Sequence, residues 1–189
     1  MTLKNKRIFI GIPVKVNLNT VVEMIQTTVD APYGDIKWVY GKNLHLTLAF
    51  VGNLEESQIK DIITELESMN FGQPFNAVLN YTGLFPNPEN PNVFWLGIDK
   101  GRSRLNLIVD QIHSILNKLS LPINDKKFIP HVTIGKVRKN IDSWKIGTSS
   151  YLNAVFSPTR FLVNSIHLYE SAMTEKGVKY TSIVSNSLQ

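Results

Sequence analysis

Residues 43–51 read Asn-Leu-His-Leu-Thr-Leu-Ala-Phe-Val, an alternation that indicates a β-strand with one face turned to a hydrophobic core. Side chains at positions i and i+2 lie on the same face of a strand. We therefore expect His45 and Thr47 to share one face, while Leu46 and Leu48 point the other way into the core. The strand thus presents an imidazole beside a hydroxyl group.

The same pattern recurs in the second half of the chain, where residues 131–134 read His-Val-Thr-Ile. Here His131 and Thr133 are predicted to share a face, and Val132 and Ile134 are predicted to pack into the core. A single His-x-Thr sequence is weak evidence, because threonine favours strands and a histidine often only packs. Two matching copies in strand-like surroundings predict one cleft that holds two imidazoles and two hydroxyl groups.

The rest of the chain predicts an α+β fold with antiparallel sheets and helices on the outer faces. Apolar residues at helical spacing indicate three helices, near residues 21–29, 59–69 and 105–119. The third is expected to start at a Ser103 cap and to end before Pro122. Seven strands are predicted, over residues 7–14, 43–51, 75–84, 93–98, 128–137, 161–169 and 178–184.

Composition limits the classes of function. The 189 residues are 43% hydrophobic and 19% charged, which fits a globular protein. Cysteine is absent, so disulfides, thiolate zinc sites and a cysteine nucleophile are excluded. The apolar run near the N-terminus is too short for a membrane span, and we expect a cytoplasmic protein. The net charge of +5 fits phosphate-rich partners but also a merely solubilising surface.

The two motifs suit phosphoryl chemistry without a metal or other cofactor. Histidine titrates near neutral pH, so one imidazole can take a proton from water while the other gives one to the leaving oxygen. Thr47 and Thr133 can donate hydrogen bonds to the non-bridging phosphate oxygens, where charge develops. The sequence contains no P-loop, no His-Glu-x-x-His and no Gly-x-Ser-x-Gly.

Further segments, in order along nearly the whole chain, add to the two motifs. They are residues 7–13 (Arg-Ile-Phe-Ile-Gly-Ile-Pro), 37–39 (Lys-Trp-Val), 43–52, 83–86 (Gly-Leu-Phe-Pro), 93–97 (Val-Phe-Trp-Leu-Gly), 128–135 (Phe-Ile-Pro-His-Val-Thr-Ile-Gly) and 166–171 (Ile-His-Leu-Tyr-Glu-Ser), with Gly177 and Tyr180. Together they resemble the two-histidine phosphoesterases, and within them the RNA 2′,3′-cyclic phosphodiesterases, historically called 2′-5′ RNA ligases.

The resemblance implies a fold and an activity. The expected fold is one bilobal domain over residues 1–189 with pseudo-two-fold symmetry. Each lobe would hold an antiparallel sheet with helices outside, and the central cleft would hold both motifs. The implied activity is the metal-free opening of a 2′,3′-cyclic phosphate to leave a 2′-phosphate, and some members also join or cleave 2′-5′ linkages in tRNA halves.

Individual roles also follow from the resemblance. It implies that His45 is the proton donor and His131 the proton acceptor. Many members carry a phosphate-binding arginine shortly after the second motif. The matching position here is Lys136, with Arg138 two residues later, and both are candidate phosphate ligands or else part of a solvated strand edge.

The remaining expectations concern partners. Lys42, Lys126 and Lys127 are candidates for a path that binds RNA, although an ordinary solvated surface explains them equally well. His113 is expected on the polar side of the third helix, and His167 in a strand, with structural or surface roles. The expected partner is RNA with a 2′,3′-cyclic phosphate or a 2′-5′ linkage, and we expect a monomer. A non-catalytic RNA-binding module and a ligase or cyclic-oligonucleotide phosphodiesterase remain as alternatives.

Overall fold

The computed structural model describes residues 5–124, 126–175 and 177–189, without the side chain of Lys42. In chain order its strands and helices are β1 (Lys6–Pro13), α1 (Asn19–Gln26), β2 (Ile36–Trp38), β3 (His45–Leu54), α2 (Glu56–Ser68), β4 (Phe75–Phe85), β5 (Val93–Lys100), α3 (Arg102–Lys118), β6 (His131–Val137), α4 (Ser149–Leu152), β7 (Thr159–Val163), β8 (Ser165–Thr174) and β9 (Gly177–Ser187). Short 3₁₀ helices cover Gly41–Asn43 and Ser143–Lys145.

The strands form one curled antiparallel sheet in the order β7-β4-β5-β6-β3-β1-β8-β9, and β2 pairs with β6. The two motif strands β3 and β6 meet at its centre through the single pair Leu46–Val132. From β6 the sheet continues through β5, β4 and β7, and from β3 it continues through β1, β8 and β9. The predicted α+β fold with antiparallel sheets is therefore confirmed, with the two expected sheets joined at this one residue pair.

The two motif strands turn their apolar side chains into the hydrophobic core. Leu46, Val132 and Ile134 are fully buried, as the alternation predicts. Helix α3 packs against β3 and α2, and α2 packs against β9. Among the described residues, no helix is both long and apolar enough to cross a lipid bilayer.

The strand predicted over residues 161–169 is wrong, because the structure contains two strands there. Strand β7 pairs with β4 at one edge of the sheet, and β8 pairs with β1 and β9 in the other half. The break falls at Asn164, and Ser165 and Ile166 are then both buried, so the alternation slips by one residue. The chain therefore passes from one half of the sheet to the other within a few residues.

The expected Ser103 cap of the third helix is also wrong. Helix α3 starts at Arg102, with Gly101 as its N-cap at a φ of 95°. A side chain at Gly101 would be strained by this left-handed backbone, and its Cβ would come within 3.3 Å of the Ala77 Cα atom. The predicted strand over residues 128–137 starts three residues late, at His131, immediately after Pro130.

Candidate active site

Both motif histidines are held by the same backbone contact. His45 Nδ1 lies 2.8 Å from the carbonyl oxygen of Asn43, and His131 Nδ1 lies 2.6 Å from that of Ile129. In each case the carbonyl belongs to the residue two positions earlier. Because a carbonyl oxygen can only accept, Nδ1 must carry the hydrogen and donate it. Nε2 is therefore the nitrogen left to accept or donate a catalytic proton in both rings.

A β-bulge in β6 brings Lys136 to the same face as the second motif. On β5, Trp95 pairs with Thr133 and Val93 pairs with Lys136. Trp95 and Val93 are two residues apart, but Thr133 and Lys136 are three apart, so β6 has one extra residue here. Directly paired residues share a face, as do residues two apart on one strand. Lys136 therefore lies on the same face as Thr133 and His131. A regular strand would have turned its side chain to the core, and bulges commonly re-aim side chains next to active sites.

A matching bulge in β3 brings an aromatic ring to the same face as the first motif. Gly11 of β1 pairs with Thr47, and Phe9 pairs with Phe50, so the register shifts by one residue here too. Phe50 therefore lies on the same face as Thr47 and His45. In both halves the side chain five residues after the histidine therefore lies at the cleft. It is the Phe50 ring in one half and the Lys136 ammonium group in the other.

One cavity of about 580 Å³ connects residues of both motifs. Thr47, His131, Thr133 and Lys136 all line it, which fits the predicted cleft between the two motif strands. His45 is not among the lining residues. Its pKa is nevertheless affected by the charges of His131 and Lys136, which places the three groups in one electrostatic neighbourhood.

Aromatic rings enclose each imidazole. The His45 ring lies 4.7 Å from the Tyr180 ring and 5.0 Å from the Phe9 ring, between centroids. The His131 ring lies 5.0 Å from Phe85 and 5.6 Å from Trp95. Such rings restrict the motion of the imidazoles and remove them partly from water, which favours their neutral forms.

The electrostatics of the two histidines follow from this enclosure. Burial lowers the pKa of His45 below 6.5, and the positive charges of Lys136 and His131 lower it further, while the Asn43 carbonyl opposes the shift. Burial and Lys136 likewise lower the pKa of His131, against the Ile129 carbonyl. Both rings are therefore mainly neutral at pH 7 in the free protein. A bound phosphate favours the protonated form and makes one ring available as an acid.

The basic residues Lys136 and Arg7 influence each other and a neighbouring tyrosine. Partial removal from water lowers the pKa of Lys136, and the nearby Arg7 guanidinium lowers it further. Arg7 also stabilises the ionised form of Tyr180 and so opposes the rise that burial causes in the pKa of that tyrosine. Arg7 precedes Phe9 by two residues on β1 and faces the cleft with it.

The remaining predicted site residues do not all lie at the cavity. Lys126 and Lys127 line the cavity. Arg138 follows the end of β6, is exposed, does not line the cavity and donates a hydrogen bond from Nε to the Gly34 carbonyl. The side chain of Lys42 lies outside the described residues.

Sequence reasoning assigned no site role to His113, Arg7 or Tyr180. His113 lines the cavity although helical periodicity assigned it only to a polar helix face. Arg7 and Tyr180 had a signal, because both belong to segments that carry the resemblance, but their spacing alone indicated no role. Within the described ranges, no three His, Asp or Glu side chains are grouped so that they could hold a metal ion.

Comparison with known proteins agrees with this geometry. The family model described as LigT-like phosphoesterase matches residues 12–95. The RNA 2′,3′-cyclic phosphodiesterase of Aquifex aeolicus is 31% identical over 96% of both chains, and that of Archaeoglobus fulgidus is 32% identical over 94% of this chain and 97% of the relative. The crystal structure of TT0787 of Thermus thermophilus superimposes with a TM-score of 0.76 at 24% identity, covering 96% of this chain and 97% of that one.

Two adjacent His-x-Thr strands whose residues line one cavity are what the sequence led us to expect of a two-histidine phosphoesterase. The chain belongs to the LigT-like phosphoesterase family, as its identity to these relatives over nearly their whole length shows. The resemblance inferred from the sequence segments is thereby confirmed.

Proposed function

We propose that this protein hydrolyses the 2′,3′-cyclic phosphate at RNA 3′ ends and leaves a 2′-phosphate, by acid–base catalysis that needs no metal. Membership of a family whose relatives are RNA 2′,3′-cyclic phosphodiesterases supports the substrate and the reaction. The observation that carries the mechanism is the pair of imidazoles, each anchored at Nδ1 by its own backbone carbonyl.

In the proposed reaction a water oxygen attacks phosphorus and the bond between phosphorus and the 3′ oxygen breaks. His131 Nε2 takes the proton of the water, and His45 Nε2 gives a proton to the departing 3′ oxygen. In-line displacement places the attacking and leaving oxygens on opposite sides of phosphorus, so a different imidazole serves each. Exchange with solvent then returns both rings to their starting protonation states.

Thr47, Thr133 and Lys136 complete the proposed site around the phosphate. The two hydroxyl groups donate hydrogen bonds to the non-bridging oxygens, and the Lys136 ammonium balances their charge in the transition state. A lysine supplies a point charge in place of the planar two-pronged contact of an arginine. We propose no phosphate contact for Arg138, since its guanidinium is bonded to Gly34.

The test is an assay on a short RNA with a 2′,3′-cyclic phosphate, in excess chelator, with the position of the product phosphate determined. We expect a 2′-phosphate, and we expect His45→Ala and His131→Ala each to lower turnover about 10²-fold or more. Activity that is lost in chelator and restored by a divalent ion would contradict the mechanism. Binding of the RNA without turnover would indicate a non-catalytic binding module instead.

Joining of RNA ends through a 2′-5′ linkage would use the same residues, because an RNA hydroxyl would replace water as the nucleophile. Adding an RNA with a free 5′-hydroxyl to the same assay measures this activity beside hydrolysis. The monomeric state, the cytoplasmic location and the single bilobal domain over residues 1–189 stay predictions from the sequence.

A further inference from the structure

The cavity is larger than a cyclic phosphate requires, and part of it is formed by elements outside the motif strands. His113 of α3 lines it, together with Lys126 and Lys127 from the segment between α3 and β6. Lys127 precedes His131 by four residues, so at most about 13 Å of extended chain separates them. A second group of basic side chains thus lines the same cavity as the proposed phosphate site.

Aromatic side chains also line this cavity. They are Phe50, Phe85 and Phe128, each supplied by a different part of the chain. Phe50 is 56% exposed, which is a large solvent-exposed area for a phenylalanine on a central strand. A nucleobase or ribose packed on Phe50 would remove this apolar surface from water, and stacking of bases on aromatic rings is common in the binding of single-stranded RNA.

The lining therefore combines three chemistries: the phosphate site of the motifs, apolar rings, and a second cluster of basic groups. A nucleotide that carries a phosphate at each end of its ribose has the same three parts. A nucleoside cyclic phosphate has only the first two, so it offers no second anionic group to His113, Lys126 and Lys127.

We propose that His113, Lys126 and Lys127 bind the 5′-phosphate of the terminal nucleotide, which in RNA is the phosphodiester to the preceding nucleotide. This inference rests on the proposed function and makes it more specific. It identifies the substrate as the end of an RNA strand in preference to a free nucleoside cyclic phosphate. The affinity gained from this contact depends on salt, because it arises largely from charge.

The test compares the dissociation constants of adenosine 2′-phosphate and adenosine 2′,5′-bisphosphate by calorimetry, with no need for turnover. For the natural chain we expect the bisphosphate to bind about tenfold or more tightly, the effect of one charge-assisted phosphate contact. In Lys126→Ala/Lys127→Ala and in His113→Gln this gain should shrink, while the affinity for the monophosphate falls less.

A matched control removes two exposed lysines that lie outside the cavity, Lys60 on α2 and Lys100 at the end of β5. Lys60→Ala/Lys100→Ala lowers the net charge equally and should keep the full gain. Equal affinity for both ligands in the natural chain overturns the inference, as does an equal loss of the gain in the control.

Failure of this inference can be separated from failure of the proposed function. Hydrolysis of cyclic-ended RNA without any gain in affinity from the 5′-phosphate would contradict the subsite but support the proposed function. A gain in affinity that depends on Lys126 and Lys127, without hydrolysis of any cyclic phosphate, would support the subsite but contradict the proposed function.

Discussion

Replacing Lys136 tests both the binding of phosphate and the electrostatics of the cleft. Lys136→Gln keeps a polar side chain of similar length but removes the charge. A charge-assisted contact contributes about 1.5–3 kcal/mol, and because Lys136 is partly exposed we take the lower end of this range. We therefore expect kcat/KM to fall about tenfold, and Lys136→Arg to retain or raise it.

The same variant should move the pH profile. The pH dependence of kcat/KM reports on the free enzyme, where one imidazole must be neutral and the other protonated. Lys136 lowers the pKa of both His45 and His131. Without its charge both values rise, so the bell-shaped profile of Lys136→Gln should lie at higher pH than that of the natural chain. Lys136→Arg keeps the charge and should leave the profile in place.

The assay is hydrolysis of a cyclic-ended RNA from about pH 4.5 to 8.5 at constant ionic strength, a range that extends on both sides of the ordinary pKa of histidine, about 6.5. Lys139→Gln is the matched control, because Lys139 is exposed, lies three residues later and does not line the cavity. An unchanged kcat/KM together with an unmoved profile for Lys136→Gln would refute our account of this residue. A tenfold loss without movement of the profile would keep the phosphate contact but reject the electrostatic coupling to the histidines.

Three other perturbations have definite expected outcomes. A substrate with sulfur in place of the leaving 3′ oxygen needs no proton to depart, so it should rescue His45→Ala and not His131→Ala, and the opposite pattern would exchange their roles. Because folding lowers the pKa of both histidines below 6.5, their contribution to stability is full above that pH and is lost as the pH falls. Urea unfolding at about pH 7.5 and pH 5.0 should show this loss, and it should be smaller in His45→Gln/His131→Gln. In Gly11→Ala the new Cβ would lie 2.8 Å from the Leu46 carbonyl oxygen, so β1 must move from β3, with an expected cost of about 1–3 kcal/mol in thermal unfolding.

The sequence pattern predicted what depends on local alternation and failed where the register shifts. Periodicity of two correctly separated His131 and Thr133 from the buried Val132, because a strand with one buried face must alternate. It could not place Lys136, since an uninterrupted period of two puts a residue five positions after His131 on the core side. The bulge is a property of the pairing between β5 and β6, which are far apart in sequence.

The same limit explains the residues that were missed. His113 reaches the cavity from α3 because that helix packs against β3, and no short-range pattern contains this contact. The split between β7 and β8 depends on which strands each one joins, and these partners lie in opposite halves of the sheet. Arg7 lies near Lys136 and Tyr180 because of how β1 pairs in the sheet, and these residues are far apart in sequence.

The two halves of the site have equivalent histidines and threonines, so the different roles proposed for His45 and His131 must depend on other positions. Both rings are held at Nδ1 by a carbonyl two residues earlier, and both have a lowered pKa. The halves differ at the position that each bulge turns into the cleft, where β3 carries Phe50 and β6 carries Lys136. An ammonium group attracts the phosphate, and a ring packs against a sugar or a base. In the proposed reaction this asymmetric pair would place the phosphate towards β6 and the nucleoside towards β3, and would so distinguish two imidazoles that are otherwise held alike.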